Sequence, residues 1–338
     1  MYPVRILSID GGGIRGIIPL KVLAYIENQT NKPISQLFNV IGGTSTGGII
    51  ALGLNCNNPK TNRLYTASEL IKFYTDDADK IFKKSAIWKQ GFFSPEYTDE
   101  GIENYLKEKF GEKTLLHDLP TTPDVDITVY SYDLEDNEIF YFNNRDRRAV
   151  PFFVWQAARA TSAAPTFFPA LEFEDFREGK NGKPLPPRQL IDGGVYINNP
   201  VVNLLVRARY LYPQHPKQNQ LLVSIGTGQF KKSSSRLKDA GKIELNPTQG
   251  WASAIFDVAM RGTSAEAEFL VAELLERVVF EDEGYEDRYY RFQKDFEVDV
   301  PMDDIKQVKQ LERLGDELVK EQRDKLDTLC ATLKKIEP

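Results

Sequence analysis

Residues 38–54, FNVIGGTSTGGIIALGL, constrain this chain more than any other stretch. Residues 38–41 read as the end of a buried strand and residues 49–54 as an apolar helix. Between them come Gly42, Gly43, Thr44, Ser45, Thr46, Gly47 and Gly48. A strand that turns straight into a helix around a serine leaves no room for side chains at i−2 and i+2, and Gly43 and Gly47 stand there. The serine hydroxyl of such a turn lies at a helix N-terminus, where free amides favour developing negative charge. Strand before, helix after and Gly-x-Ser-x-Gly between are the context of a nucleophile elbow. Two plainer readings compete. The run from Pro33 to Pro59 has no charged residue, which suits a membrane helix, but its glycines, Ser, Thr and Asn argue against one. A glycine-rich turn without chemistry is the other.

A second glycine loop opens the chain. Residues 4–9, VRILSI, are a buried strand by their β-branched and apolar content. Asp10-Gly11-Gly12-Gly13-Ile14-Arg15-Gly16 follows, then a helix over about 17–28. Gly11-x-Gly13-x-x-Gly16 matches a dinucleotide fingerprint, which calls for an acidic residue about 20 positions on to hold a ribose. Thr30-Asn31-Lys32-Pro33 stands there without one, so a nucleotide cofactor is disfavoured. The other use of such a loop is an oxyanion hole, with successive glycine amides aimed at one oxygen. Arg15 either adds a fixed positive charge there or pairs with a nearby carboxylate.

Helices are expected over 66–84, 101–110, 154–160 and 247–277, and strands over 125–132, 138–142, 188–191, 221–225 and 289–292, with 138–142 antiparallel to its neighbour. Residues 303–336 read as one amphipathic helix with Ile305, Val308, Leu311, Val319, Leu326, Leu329 and Leu333 near one face. This alternation predicts an α/β architecture, a mainly parallel sheet with helices on both faces, whose ligands bind at the carboxyl ends of the strands. Asp10–Gly13, Ser45, Asp192-Gly193-Gly194 and Gly226-Thr227-Gly228 all follow strands and are expected to converge. Residues 81–97 mix Phe82, Ile87, Trp88, Phe92 and Phe93 with Lys83, Lys84 and Lys89; a cover over the core and an anionic membrane surface are both open to them.

A serine nucleophile needs a base. The only histidines are His117 and His215. His117 lies in a loop at a helix end, and His215 lies between a helix and the next strand, at the end of the sheet opposite the serine. Asp192, an acid at a strand end, is the better candidate, although a turn aspartate has the same local sequence. Lys231, Lys232 and Arg236 follow Gly228 in a serine-rich loop and are either solvated or able to hold a phosphate.

A net charge of −6 leaves no broad basic excess for DNA or RNA. Two cysteines and two histidines, in 338 residues, assemble neither a disulfide framework nor a zinc motif, and no metal is expected. Few cysteines and a chain that begins directly on a strand suit a cytoplasmic setting.

Three marks in order, Asp10–Gly16, Gly43–Gly47 and Asp192–Gly194, resemble those of the patatin-like phospholipase family. The stretches 160–166 with Phe168-Pro169-Ala170, and 224–228, match as well. The tripeptide is Asp-Gly-Gly where many members have Asp-Gly-Ala. The resemblance covers about residues 4–292, with 293–338 as a helical extension packed on the same domain. It implies a three-layer α/β/α fold and hydrolysis of lipid acyl esters without metal or cofactor. It also implies a dyad of Ser45 as nucleophile and Asp192 as base, with the oxyanion hole at Gly11, Gly12 and Gly13 beside Arg15. It further implies peripheral contact with membrane phospholipid. The compact bacterial form is similar to effectors of antiphage defence that are switched on by cyclic nucleotides, which makes a cyclic dinucleotide a candidate activator and Lys231, Lys232 and Arg236 its candidate contacts. A homo-oligomer is left open. The competing classes are a nucleotide-dependent oxidoreductase and an idle lipid- or nucleotide-binding protein.

Overall fold

The computed structural model describes residues 3–83, 95–119, 124–145, 152–174, 186–215, 219–230, 250–279, 288–297 and 300–335. Its first half contains β1 (Val4–Ile9), α1 (Ile17–Thr30), α2 (Ile34–Leu37), β2 (Val40–Thr44), α3 (Thr46–Gly53), α4 (Ala67–Thr75), α5 (Ala78–Ile81), α6 (Asp99–Phe110), β3 (Asp126–Asp133), β4 (Glu138–Asn143) and α7 (Val154–Thr161). There follow β5 (Leu171–Phe173), β6 (Arg188–Asp192), α8 (Val201–Leu211), β7 (Gln220–Ile225), β8 (Gln229–Phe230), α9 (Gly250–Val279), β9 (Tyr289–Phe292), β10 (Asp295–Phe296), α10 (Val308–Glu321) and α11 (Arg323–Lys335).

Because successive side chains of a strand point to opposite faces, the buried strands read as continuous apolar runs that feed two cores. In β1, Leu7 and Ile9 join the core beneath α1, α3, α4, α6 and α7, while Val4 and Ile6 join the core beneath α8 and α9. The result is the three-layer α/β/α arrangement. The sheet order is β5-β6-β3-β2-β1-β7-β9, with β4 paired to β3 outside this path. Strands β1, β2, β3, β7 and β9 are parallel, and β4 is antiparallel to β3 as its sequence suggests.

Two expectations are corrected. Strand β6 runs antiparallel to β3, against the simple picture of strands ending along one edge. Parallel β2 pairs with β3 up to Thr44 opposite Tyr130, and antiparallel β6 pairs with the continuation of the same strand, ending with Asp192 opposite Ser131. The ends of β2 and β6 therefore meet head to head along β3. The helix expected over 303–336 is two helices, broken at Gln322. A single helix of that length would run to about 50 Å. With the break, Leu311 and Leu318 of α10 and Leu326, Leu329 and Leu333 of α11 all reach the same core.

Other boundaries follow from capping. The Thr66 hydroxyl accepts the Glu69 amide and the Glu69 carboxylate accepts the Thr66 amide, a capping box that starts α4. That helix ends at Thr75 and a separate turn, α5, follows, so the stretch 66–84 is not continuous. No helix of the described residues is long and apolar enough to cross a membrane.

Candidate active site

The turn between β2 and α3 is tighter than its sequence suggests. The strand takes Gly42, Gly43 and Thr44, the helix starts at Thr46, and Ser45 alone is left between them. Its backbone sits at φ 55° and ψ −128°, a region L-residues rarely adopt and one that typically stores about 1–3 kcal/mol of strain. The flanking glycines make this possible. A Cβ on Gly43 would lie 2.3 Å from the Gly47 backbone, and one on Gly47 would lie 2.2 Å from the Ile9 carbonyl. The Ser45 amide donates to Thr161 Oγ1 at 2.9 Å, and that hydroxyl donates to the Tyr130 carbonyl at 2.6 Å. Thr161, at the end of α7, thus ties the elbow to β3.

The head-to-head meeting of β2 and β6 brings Asp192 to Ser45. Asp192 is fully buried, and its Oδ1 accepts the Gly194 amide at 2.8 Å. Its Oδ2 has no hydrogen-bond partner among the described residues. Burial pushes the Asp192 carboxyl up to about 7, opposed by Ser45 and the Gly194 amide. His117 and His215 lie in the connections that lead into β3 and β7, at the amino ends of strands whose carboxyl ends face Ser45. The acid near Ser45 is therefore Asp192, and neither histidine is brought to it.

The first glycine loop lies against the same turn. The Gly11 amide donates to the Asn198 carbonyl at 3.1 Å, so it is already engaged and is removed from the set of oxyanion donors. The Gly11 carbonyl accepts from Thr227 Oγ1 at 2.7 Å. The amides of Gly12 and Gly13 have no acceptor among the described residues. Arg15 is turned back on its own loop, its Nε donating to the Gly12 carbonyl at 3.3 Å, which makes it a brace of the loop. The Ile14 amide, which a bound pyrophosphate would use, donates to the Met302 carbonyl at 2.7 Å. That occupancy counts against the dinucleotide reading. Asp10, just ahead of the glycines, is raised to about 6 by burial, with Arg291 opposing.

Beside Ser45 an apolar pocket runs between α3, α4 and α6, lined by Ile49, Phe73, Ile102, Leu106, Phe168 and Met260, with Gly13 and Met302 also in its wall. At the near end of the stretch 81–97, Ile81 and Phe82 line this pocket, and at its far end the Tyr97 ring meets Phe82 edge-on and Phe168 at a tilt. The apolar and basic residues between, Lys84 to Phe93, lie outside the described residues, as do Lys231, Lys232 and Arg236. Asn198, Thr161 and Thr227 are the site residues that motif reading misses as contacts. Thr161 and Thr227 do fall inside matched stretches, whereas Asn198 has only its place six residues after Asp192 to mark it.

Comparison with known proteins adds the following. A family model described as patatin-like phospholipase matches residues 7–205. The chain is similar to patatin-like protein 2 of Oryza sativa subsp. indica, 31% identical over 291 residues, which cover 78% of this chain and 67% of that protein. It is similar to patatin-like protein 2 of Arabidopsis thaliana, 29% identical over an alignment of 369 positions, gaps included, that covers 97% of this chain and 86% of that protein. Among solved structures, VipD from Legionella pneumophila aligns with 95% of this chain and 67% of its own at a TM-score of 0.42 and 12% identity, a likeness too distant to carry an argument.

Proposed function

The chain belongs to the patatin-like phospholipase family, and on that footing we propose that it is a serine hydrolase that cleaves fatty acyl esters of membrane phospholipids through a dyad of Ser45 and Asp192. The observation that carries this is the strained Ser45 at the tip of the elbow facing a buried carboxylate raised to about 7. A carboxylate so poised can take a proton near neutral pH, which an exposed aspartate does poorly. Asp192 Oδ2 takes the proton of the Ser45 hydroxyl as Oγ attacks the acyl carbonyl carbon. The resulting oxyanion accepts bonds from the Gly12 and Gly13 amides. The tetrahedral intermediate collapses with cleavage of the C–O bond, and Asp192 returns the proton to the departing alcohol. Water, deprotonated by Asp192, then attacks the acyl carbon, and the fatty acid departs as Asp192 returns that proton to Ser45 Oγ. The apolar pocket beside Ser45 suits an acyl chain, and action at a membrane surface follows from the substrate.

The test is release of fatty acid from mixed phospholipid vesicles. Wild-type protein is expected to release it without added metal, and Ser45→Ala to release none while melting as wild type does. Wild-type turnover in Ser45→Ala would refute the dyad. Control by a cyclic dinucleotide, as in antiphage effectors, stays part of the proposal on the cluster Lys231, Lys232 and Arg236 alone.

A further inference from the structure

We propose that Arg291 is a positioning residue for this reaction: clamped onto Asp10, it holds the glycine loop so that the Gly12 and Gly13 amides meet the developing oxyanion. The inference rests on the reading of Ser45 above and extends it to a residue far outside the matched region 7–205. Asp10 is the last residue before the glycines and is 2% exposed. Arg291, on β9, grips it in a two-pronged fashion, Nη1 to Oδ1 at 3.1 Å and Nη2 to Oδ2 at 2.7 Å. A planar fork on a carboxylate fixes orientation as well as distance, which a point charge does not. Arg291 is itself held at three points, two on the fork and one on the backbone. Nη1 donates to Ser224 Oγ at 2.9 Å on β7, Nη2 pairs with Glu268 of α9 at 2.6 Å, and Lys325 Nζ of α11 donates to the Arg291 carbonyl at 3.0 Å.

Stability alone is a poor account of this arrangement. Replacing a buried ion pair by apolar residues of similar volume is often neutral or stabilising. What the pair supplies is register. The Gly11 carbonyl and amide are pinned by Thr227 and Asn198, and Asp10 is pinned by Arg291, so the two free amides that follow have their direction set from both sides of the loop's start. Oxyanion stabilisation depends on donors placed to within a fraction of an ångström, and displacement of about 1 Å can cost on the order of 10²-fold.

The experiment compares Asp10→Asn, Arg291→Lys and Glu268→Gln with wild type. It measures kcat and KM on a soluble p-nitrophenyl ester and the Ki of a trifluoromethyl ketone, whose adduct puts an oxyanion in the same place. Thermal melts establish which variants are folded at the assay temperature. The expected result for Asp10→Asn and Arg291→Lys is a kcat lower by about 10- to 100-fold and a Ki raised by a similar factor, with KM close to wild type. Wild-type kcat and Ki in either folded variant overturn the proposal. Should both fail to fold, Glu268→Gln, a change at a partly exposed carboxylate, decides: lower kcat with raised Ki supports the proposal, and unchanged values overturn it. Absence of hydrolysis by wild type both with and without cyclic dinucleotides would overturn the reading of Ser45 together with this one, whereas an active wild type matched by its variants overturns this one alone.

Discussion

Burial of Asp192 has two consequences that pull in opposite directions. As a base it must be ionised, so kcat/KM is expected to rise with pH through about 7. For folding the sign is reversed. Its carboxyl is raised from 3.8 to about 7, so the folded state holds the proton more tightly than the unfolded chain does. Stability contributed by the neutral acid is present below about pH 4 and is lost as pH rises to about 7, a loss on the order of 4 kcal/mol. Asp192→Asn should therefore lose about 10²- to 10⁴-fold in rate, yet melt higher than wild type at pH 8 and near it at pH 4. Melting curves with the same pH dependence in both proteins would contradict this. At Gly12 a Cβ would lie 2.2 Å from Thr227 Oγ1, so Gly12→Ala should displace the loop. Turnover is expected to fall by about 10²- to 10³-fold with less effect on vesicle binding, and tight NAD or FAD binding lost in this variant would instead favour a cofactor loop. Ser45 and Asp192 are legible in the sequence because each stands among glycines at a strand end, where few uses compete. Gly11 is not legible as engaged, because its acceptor is a backbone carbonyl, that of Asn198, and any residue type would supply one. Arg291 is hidden for a different reason: its partner is 281 positions away, and only the order of strands brings the two together.

Two strands with opposite directions build the site between them. A strand as short as Arg-Gln-Leu-Ile-Asp does not encode its own direction, which is why the antiparallel β6 is not readable from residues 188–191. Its consequence is that Asp192 approaches Ser45 from ahead, along the same edge of β3, and not from a neighbouring parallel strand. The elbow depends equally on close packing of α3 on β1. A methyl group at Gly47 would press on the Ile9 and Asp10 carbonyls at 2.2 and 2.7 Å, and backbone cannot move aside as a side chain can. Overpacking of this kind typically costs about 1–3 kcal/mol, so Gly47→Ala should lower the denaturation midpoint and activity together. A variant with the wild-type midpoint would show that α3 has room the structure lacks. At the carboxyl end the leucine spacing is plain, but the break at Gln322 carries no proline or glycine to announce it, and the leucines on both sides of it reach the same core.

The molecule as a whole closes its active site with parts far apart in sequence. Met302 caps the Ile14 amide and borders the pocket, and α10 and α11 bury Leu311, Leu318, Leu326, Leu329 and Leu333 on the core beside α1. A chain ending at residue 292 should lose the cooperative thermal transition and soluble yield, and a soluble, active truncation would contradict this role of the extension. If Lys231, Lys232 and Arg236 hold an activating nucleotide, Lys231→Glu with Lys232→Glu should abolish its effect on soluble esters and vesicles alike. Loss on anionic vesicles alone, relieved by salt, would point to lipid headgroups instead. In the proposed mechanism one serine, strained into the elbow and paired with one buried aspartate, does the chemistry. It is tested most directly by reacting the intact protein with a fluorophosphonate and mapping the adduct by peptide mass spectrometry. The expected result is a single adduct on Ser45, absent in Ser45→Ala and formed far more slowly in Asp192→Asn; an adduct on another serine, or labelling of Ser45 at the wild-type rate in Asp192→Asn, would overturn the dyad.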